Sequence, residues 1–477
     1  MPEIFINGEP VQAKADETVL QTALGNGFFI PYFCWHKSLS IAGNCRICVV
    51  QQEGKDWVEI ACNMPATEGL KVLTDSELVR AHRKATLQFL TLNHPVDCGI
   101  CDKAGECTLQ DYHFEYNGER SISRDTKVRS TKFVPLGKRI VLDNERCILC
   151  SRCVRFTREI SKSNALGIKE RGDVSVVRAT ENGLFDDDAY SDNVIDICPV
   201  GALLSRSFLH KARVWYLQPT PSICPGCARG CTVDIWHRKP EWQLKALDPR
   251  ENTSIARVTP RENPAVNGPW ICNKGRDLAQ IFERPRALQP MRKGNAVEVD
   301  EAFETARKLI AEAKHPVALI SSWGSNEELA AFKNALGSRF TAFVKPDHVP
   351  APGEPIEDDL LIRADKNPNT AAAHALFGRD AIHFAAGTDL VFVWGEGFEF
   401  ATLPRGAKVI FANSYVRPEN GYADVFFPLS VQTERAGHYT NFEGTVSAFL
   451  PCFARPSAVI DAEALFAAIA EPAEVLA

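Results

Sequence analysis

The stretch His94-Pro95-Val96-Asp97-Cys98-Gly99-Ile100-Cys101-Asp102-Lys103-Ala104-Gly105-Glu106-Cys107 offers one imidazole and three thiols within fourteen residues. Gly99 and Gly105 let such a loop fold back on itself. Four soft or borderline ligands converging from one loop enclose either a zinc ion or an iron–sulfur cluster. The remaining cysteines decide between the two, because those from Cys34 to Cys272 also fall into groups of four.

The first group is Cys34-x10-Cys45-x2-Cys48-x13-Cys62. Two close thiolates, two distant ones and amide donors suit a [2Fe–2S] cluster, and Gly43-Asn44-Cys45-Arg46-Ile47-Cys48 brings backbone N–H groups to the sulfurs. The first gap is longer than in plant-type C-x4-C-x2-C spacing, and zinc is the competing reading. The His94, Cys98, Cys101, Cys107 group reads as a [4Fe–4S] site in which a neutral imidazole replaces one anionic thiolate.

Cys147-x2-Cys150-x2-Cys153 comes next, with Cys198-Pro199 far downstream. Two-cluster ferredoxins repeat C-x2-C-x2-C-x3-C-P, and each fourth cysteine ligates the other cluster. Laid on this chain, that pattern puts Thr157 and Arg158 where the first repeat's Cys-Pro belongs, and Asp188, Ser191 and Val194 where the second repeat's cysteines belong. All ligands of one cluster are gone and all ligands of the other survive, so one [4Fe–4S] site follows. The last group is Cys224-x2-Cys227-x3-Cys231, then forty residues, then Cys272 in Trp270-Ile271-Cys272-Asn273-Lys274-Gly275-Arg276. Its spacing also fits zinc. Cys452 stands apart between Pro451 and Phe453 and reads as a packed thiol.

The elements that must hold these groups leave their own marks. Ile4, Ile6, a Gly8 turn and Val11 predict a hairpin, followed by a helix from Thr18 to about Leu24 with Asp16 as its cap. Leu78, Val79, His82, Ala85, Leu87, Phe89 and Leu90 predict an amphipathic helix leading into the His94 loop, with His82 a partly buried core histidine. Gly118 to Lys138, with Lys127, Arg129 and Lys132, reads as a solvated connector. Beyond about residue 293, Val317–Ile320, Leu390–Trp394 and Val409–Ala412 predict parallel strands, and Ser325-x-x-Glu328 predicts a helix start. Lys345 to Thr370 is a Pro- and acid-rich loop, and Ala462 to Ile469 a surface helix. Gly395-Glu396-Gly397 lacks the third glycine and helix of a nucleotide site.

Length suggests roughly three or four domains. Apolar content of 45% with 24% charged residues is that of a globular protein, and a net charge of −6 argues against nucleic acid as the main partner. No apolar run approaches the roughly eighteen residues of a membrane span. Met1 to Gly8 reads as strand and turn rather than a signal peptide, which implies a reducing compartment and metal ligation rather than disulfides for the 16 cysteines.

The order of the four ligand sets resembles the 75 kDa-type (G-type) iron–sulfur family of respiratory complex I, the proton-pumping NADH:quinone oxidoreductase. The matching residues are Gly43 to Cys48, His94 to Cys107, Cys147 to Cys153 with Cys198-Pro199, and Pro260-Arg261-Glu262-Asn263 leading to Trp270-Ile271-Cys272. The remainder is similar in outline to the molybdopterin oxidoreductase fold, notably at Ala423-Asp424-Val425 and Asn441-Phe442-Glu443-Gly444.

The resemblance implies an α+β multidomain chain. A β-grasp [2Fe–2S] ferredoxin domain (1–77) precedes a His(Cys)3 [4Fe–4S] helical domain (78–117) and a ferredoxin-like [4Fe–4S] domain (138–215). A molybdopterin-oxidoreductase-type [4Fe–4S] domain (217–292) and a shortened α/β domain without molybdenum (293–477) complete it. The cofactors would be one [2Fe–2S] and three [4Fe–4S] clusters, with no molybdopterin, flavin or NAD. Lys274 matches a lysine that lies between cluster and pterin in molybdopterin enzymes, and reads here as a supporting or surface residue.

Implied too is a flow of electrons from a flavoprotein partner to the [2Fe–2S] site. It continues over Cys147/Cys150/Cys153/Cys198 and His94/Cys98/Cys101/Cys107 to a ferredoxin-like two-[4Fe–4S] partner, with the Cys224/Cys227/Cys231/Cys272 cluster off the main route. Other peripheral-arm subunits would surround the chain on the cytoplasmic side of the inner (cell) membrane. No acid, base or nucleophile pair suggests bond chemistry on the chain itself. Two alternatives are the relay subunit of an NAD-linked hydrogenase or formate dehydrogenase, and a zinc-stabilised scaffold.

Overall fold

The computed structural model describes residues 1–180, 185–243, 252–350, 352–354 and 356–471. The chain divides into two compact units, Met1–Tyr216 and Leu217–Ala477.

In the first unit a five-stranded sheet has the order Glu9–Gln12, Glu3–Ile6, Lys71–Leu73, Val49–Gln52, Val58–Ile60. The turn between the first two strands puts Asn7 and Gly8 at φ 53° and 85°, the left-handed pair that a two-residue hairpin requires. Ile4, Ile6, Val19, Leu20, Val50 and Val72 form the sheet's core, and Cys48 and Cys62 are buried in the same cluster. The helix Val19–Gly25 is capped by Thr18 in a capping box with Gln21. The expected cap, Asp16, is in the left-handed region at φ 61°, whereas Thr18 has the extended backbone a cap needs.

The helix Glu77–Asn93 starts at Ser76, whose hydroxyl accepts from Val79 N–H at 3.2 Å. Its buried stripe is Val79, Arg83 and Leu87, while His82 is exposed and Phe89 is 73% exposed. His82 is therefore no core histidine. Arg83 takes the inward position because its stem packs on apolar surface while its guanidinium donates to Val49 O at 3.0 Å and lies 5.3 Å from the Tyr116 ring. Residues 118–133 contain no helix or strand, yet their lysines do not simply face water. Lys127 Nζ donates to Thr91 O and Leu92 O at 2.9 and 2.7 Å, closing the C-terminal turn of the preceding helix. A three-stranded antiparallel sheet, Leu203–Ser205, Ile140–Leu142, Val134–Leu136, backs the helices Arg152–Glu159 and Asn193–Ile197.

The second unit begins with an antiparallel sheet of Leu217–Ile223, Thr232–Arg238 and Ile255–Pro260. A seven-stranded sheet follows, and five consecutive strands, from one edge inward, are parallel in the order Thr341–Lys345, Pro316–Ser321, Leu390–Trp394, Lys408–Asn413, Val425–Pro428. The order reverses between Pro316–Ser321 and Leu390–Trp394, the place where open α/β sheets leave a crevice at their carboxyl ends. A cavity of about 280 Å³ lies there, lined by Ser321, Trp323, Trp394, Glu396, Arg284 and Lys274 among others.

The glycines of Gly395-Glu396-Gly397 serve this packing. A Cβ on Gly395 would collide with the Asp347 carboxylate, and one on Gly397 would lie 2.6 Å from two carbonyl oxygens. The helix Asn326–Leu336 begins with the predicted Ser325–Glu328 capping box. The C-terminal helix Ala462–Ala470 is not merely superficial. Leu465, Phe466 and Ile469 are buried, and the Phe466 ring lies 5.1 Å from Phe332 and 4.9 Å from Trp394. No helix among the described residues is long and apolar enough to cross a membrane.

Replacing Ser325 by alanine removes the cap on Glu328 N–H (3.1 Å) and should destabilise this unit by about 1 kcal/mol, read as an earlier urea unfolding midpoint.

Candidate metal centres

Cys34, Cys48 and Cys62 are buried and Cys45 partly so, around loops in which Gly43 and Arg46 take left-handed backbone (φ 63° and 57°). The four thiols interact in pairs. A hydrogen bond from Cys45 holds Cys34 below its ordinary range, aided by the Cys45 and Asn44 N–H groups and by the charge of Arg155. A hydrogen bond from Cys48 likewise lowers Cys62, and the donors Cys45 and Cys48 are pushed up in turn. The left-handed turn at Arg46 is what a regular strand would not provide, and it leaves Ile47 N–H free to bond Cys45 sulfur.

Cys147, Cys150, Cys153 and Cys198 line one small cavity together with Leu142, Val177 and Leu203. Burial pushes Cys147 to about 12, Cys150 to about 11 and Cys153 well above its ordinary value, with the neighbouring cysteines adding to the effect. Leu149 and Ser151 both have positive φ (52° and 61°), so the chain coils tightly between the cysteines and Leu149 N–H points to Cys147 sulfur at 3.4 Å. The positions from which a second cluster's ligands are missing are interior. Thr157, Asp188, Ser191 and Val194 are all buried, and Asp188 accepts from Ser161 Oγ at 2.7 Å and Tyr190 N–H at 2.8 Å.

His94 closes the helix Glu77–Asn93. Burial lowers its pKa to about 4, with Asp97 pulling the other way, so the ring is neutral near pH 7 and able to ligate. Cys101 is buried, Cys107 partly buried and Cys98 exposed, and burial raises Cys101 and takes Cys107 to about 11. Cys101 feels Cys98, and Cys107 feels Cys101. This loop is anchored on the Cys147 segment. Arg146, 2% exposed, donates to Asp97 at 2.7 Å, and Lys132 bonds Asp97 and Asp143 at 3.1 and 2.9 Å. Arg213 donates to Cys101 O and Gly99 O, and Thr108 N–H to Pro199 O at 3.0 Å. A Cβ on Gly201 would collide with Cys101 Sγ.

In the second unit Cys224, Cys227 and Cys231 are buried and Cys272 partly so. Cys224 N–H donates to Cys231 O at 2.8 Å, and Gly226 N–H to Cys224 sulfur at 3.4 Å. Burial pushes Cys224 and Cys231 upward and Cys272 to about 11, each also raised by other members of the set. Lys274 is no free surface lysine. It pairs with Glu354 and approaches His348 Nε2 at 3.3 Å in the cavity wall. Cys452 is partly buried, raised to about 12 by burial.

Among the described residues no group of three or more His, Cys, Asp or Glu is drawn together around a single ion. Sets of mostly buried thiols fit a ligand role, because a cationic inorganic core would offset the cost of burying thiolates. Sequence reasoning missed the arginines Arg146, Arg152 and Arg155. The available signal was their position beside Cys147, Cys150 and Cys153 in a segment otherwise short of reasons for buried charge.

Four family models match the chain in succession. They are a 2Fe-2S iron-sulfur cluster binding domain at residues 2–77 and the NADH-ubiquinone oxidoreductase-G iron-sulfur binding region at 83–121. After these come the ferredoxin-like domain of NADH-quinone oxidoreductase subunit 3 at 137–204 and a molybdopterin oxidoreductase Fe4S4 domain at 217–284. The mitochondrial NADH dehydrogenase [ubiquinone] iron-sulfur protein 1 of Solanum tuberosum is 38% identical over 66% of this chain and 41% of its own length. The NADH-ubiquinone oxidoreductase 75 kDa subunit of Reclinomonas americana is 36% identical over 71% and 48%. The G-type subunit of the NADH-quinone oxidoreductase of Rickettsia bellii is 35% identical over 71% and 46%.

This chain is a homologue of the 75 kDa-type iron–sulfur proteins. It spans about half the length or less of these curated relatives. A solved chain from an NAD+-reducing [NiFe]-hydrogenase in the H2-reduced state is 30% identical over 45% of this chain and 91% of its own, with a TM-score of 0.41. The chain carries 2Fe-2S and 4Fe-4S binding domains within a mixed α/β structure.

Gly201→Ala forces a methyl group onto Cys101 sulfur, whereas a Cβ at Gly226 meets Cys224 sulfur at an ordinary 3.4 Å. Iron analysis of the purified variants should show loss at Gly201→Ala of about eight irons per chain, from the two adjoining sets, and near-normal iron at Gly226→Ala.

Proposed function

We propose that the chain is an electron-relay subunit of an NADH:quinone oxidoreductase, accepting electrons from a flavoprotein partner and handing them to a ferredoxin-like partner on the way to quinone. The observation that carries this reading is the joining of three thiol sets within one compact unit. The Cys147/Cys150/Cys153/Cys198 segment bonds the Cys34 loop on one side, through Asn44 Nδ2 to Leu149 O at 3.2 Å, and the His94 loop on the other, through Arg146 to Asp97 at 2.7 Å. A relay needs fixed spacing between successive carriers, and the chain supplies it with hydrogen bonds between ligand loops.

When bound, one [2Fe–2S] and three [4Fe–4S] clusters supply one-electron carriers and make or break no substrate bond. Cys34, Cys45, Cys48 and Cys62 would hold the first; His94, Cys98, Cys101 and Cys107 the second; Cys147, Cys150, Cys153 and Cys198 the third; Cys224, Cys227, Cys231 and Cys272 the fourth. The surrounding apolar residues exclude water, and the loop amides direct N–H groups at sulfur. Exposed Cys98 lies between Val96 and Ile100, which are 90% and 61% exposed, so this loop is the natural face for a departing electron. Three cations lining the cavity of the second unit are neutralised from within: Lys274 by Glu354, Arg284 by Glu396 at 2.8 Å, and Arg435 by Glu328 at 2.9 Å. That supports a structural role without molybdopterin. The chain would lie peripherally, on the cytoplasmic side of the membrane, with the domain limits 1–77, 78–117, 138–215, 217–292 and 293–477.

Anaerobically purified protein should be brown and contain about fourteen irons with matching acid-labile sulfide, and reduction should produce [2Fe–2S] and [4Fe–4S] signals in low-temperature EPR. Colourless protein with about four zinc ions would instead establish a scaffold.

A further inference from the structure

Two arginines on the helix Arg152–Glu159, which also carries Cys153, are buried at 8% and 4% exposure. Their guanidinium groups reach out of the helix to carbonyls on other ligand loops. Arg152 donates to Ile197 O, beside Cys198, at 3.1 Å and to Trp35 O, beside Cys34, at 2.6 Å. Arg155 donates to Cys34 O and Ser40 O, with a longer contact to Cys150 O at 3.4 Å. Each fork therefore grips one loop of the Cys34/Cys45/Cys48/Cys62 set and one segment of the Cys147/Cys150/Cys153/Cys198 set. Glu159 reinforces the grip by accepting from Ser40 N–H and Oγ at 2.8 and 2.6 Å.

The charge of these groups is as telling as their reach. Among the described residues neither guanidinium forms an ion pair with a carboxylate, and Arg152 Nε has no hydrogen-bond acceptor. A buried cation without a counter-charge is costly, and carbonyl dipoles alone offset only part of that cost. The negative charge within reach of Arg155 is that of Cys34 and Cys150 together with the Glu159 carboxylate one turn along the helix, and Cys150 is within reach of Arg152 as well. Cys34 and Cys150 are close enough to influence one another, and Arg155 contacts the carbonyls of both.

We infer that Arg152 and Arg155 are positioning residues that hold these two ligand sets at a fixed separation and, through their buried charge, favour an added electron at both. This rests on the ligand assignment proposed above. An added electron brings one more negative charge to a site with no bond made or broken, so a nearby fixed cation raises the midpoint potential of each site. Arginine suits the task because its planar fork spans two carbonyls while remaining charged; lysine keeps the charge but not the fork.

The test is a potentiometric EPR titration of the full chain, purified anaerobically with the partners that accompany it, in wild type, Arg155→Gln, Arg155→Lys and Arg158→Gln. Arg158 is on the same helix with a 60% exposed side chain and serves as control. With iron and sulfide at wild-type levels, Arg155→Gln should move the midpoints of the [2Fe–2S] signal and of one [4Fe–4S] signal to lower values. Arg155→Lys and Arg158→Gln should leave them in place. Unmoved midpoints in iron-replete Arg155→Gln overturn the inference. Should Arg155→Gln lose iron, Arg152→Gln takes its place with the same expected shift. Loss of iron from both, with Arg158→Gln replete, assigns the arginines a purely structural role and also overturns the inference. Wild-type protein without iron refutes the ligand assignment instead, so the two failures are distinguishable.

Discussion

A thiolate is expensive to bury, and the first unit is arranged around that cost. Desolvation raises Cys147, Cys150 and Cys153 and, in the His94 loop, Cys101 and Cys107. A site of this kind is stable with deprotonated sulfur only when positive charge is supplied. An inorganic core would supply most of it from inside. Arg146, Arg152 and Arg155 supply more from outside, in positions where an apolar side chain would pack more cheaply. Arg146 is met by the Asp97 and Asp143 carboxylates, whereas Arg152 and Arg155 meet carbonyl oxygens beside or on cysteine residues.

The proposed ligand groups were legible in the sequence because ligation depends on residue type and spacing. Cys147 to Cys153 with Cys198 could be sorted from a two-cluster pattern by counting alone, and the structure gathers those four thiols around one cavity. The strands of the second unit were legible for a similar reason: Leu390–Trp394 is an uninterrupted apolar run, as strands covered on both faces are. What escaped was whatever depends on long-range partners. Arg83 rather than His82 faces inward because a carbonyl of a distant strand waits for it. Lys127 and Lys132 look like solvated charge in a patternless connector, yet both bond the segments flanking the His94 loop. Thr18 displaced Asp16 as a cap because backbone conformation, not residue preference, decides between two suitable neighbours.

The second unit joins its cysteine module and its α/β sheet closely. Ala228 N–H bonds Asp365 O at 2.8 Å, Phe442 N–H bonds Ala228 O at 3.0 Å, and Gln432 reaches Ile223 O at 2.7 Å. Loops and a short turn outside the sheet's strands thus brace the Cys224 loops. The sheet's crevice keeps the position that open α/β sheets offer to ligands, but internal ion pairs use three of the cations that would greet an anion.

The glycine at position 201 has a bearing on biogenesis. Cys101 sulfur occupies the space that any larger side chain there would fill, so the Cys198-Pro199-Val200-Gly201 segment and the Cys101 loop complete each other's walls. Neither pocket takes its final shape until the other segment has docked. Metal loading of the two should consequently be cooperative, with half-filled chains scarce and exposed to proteolysis while they last.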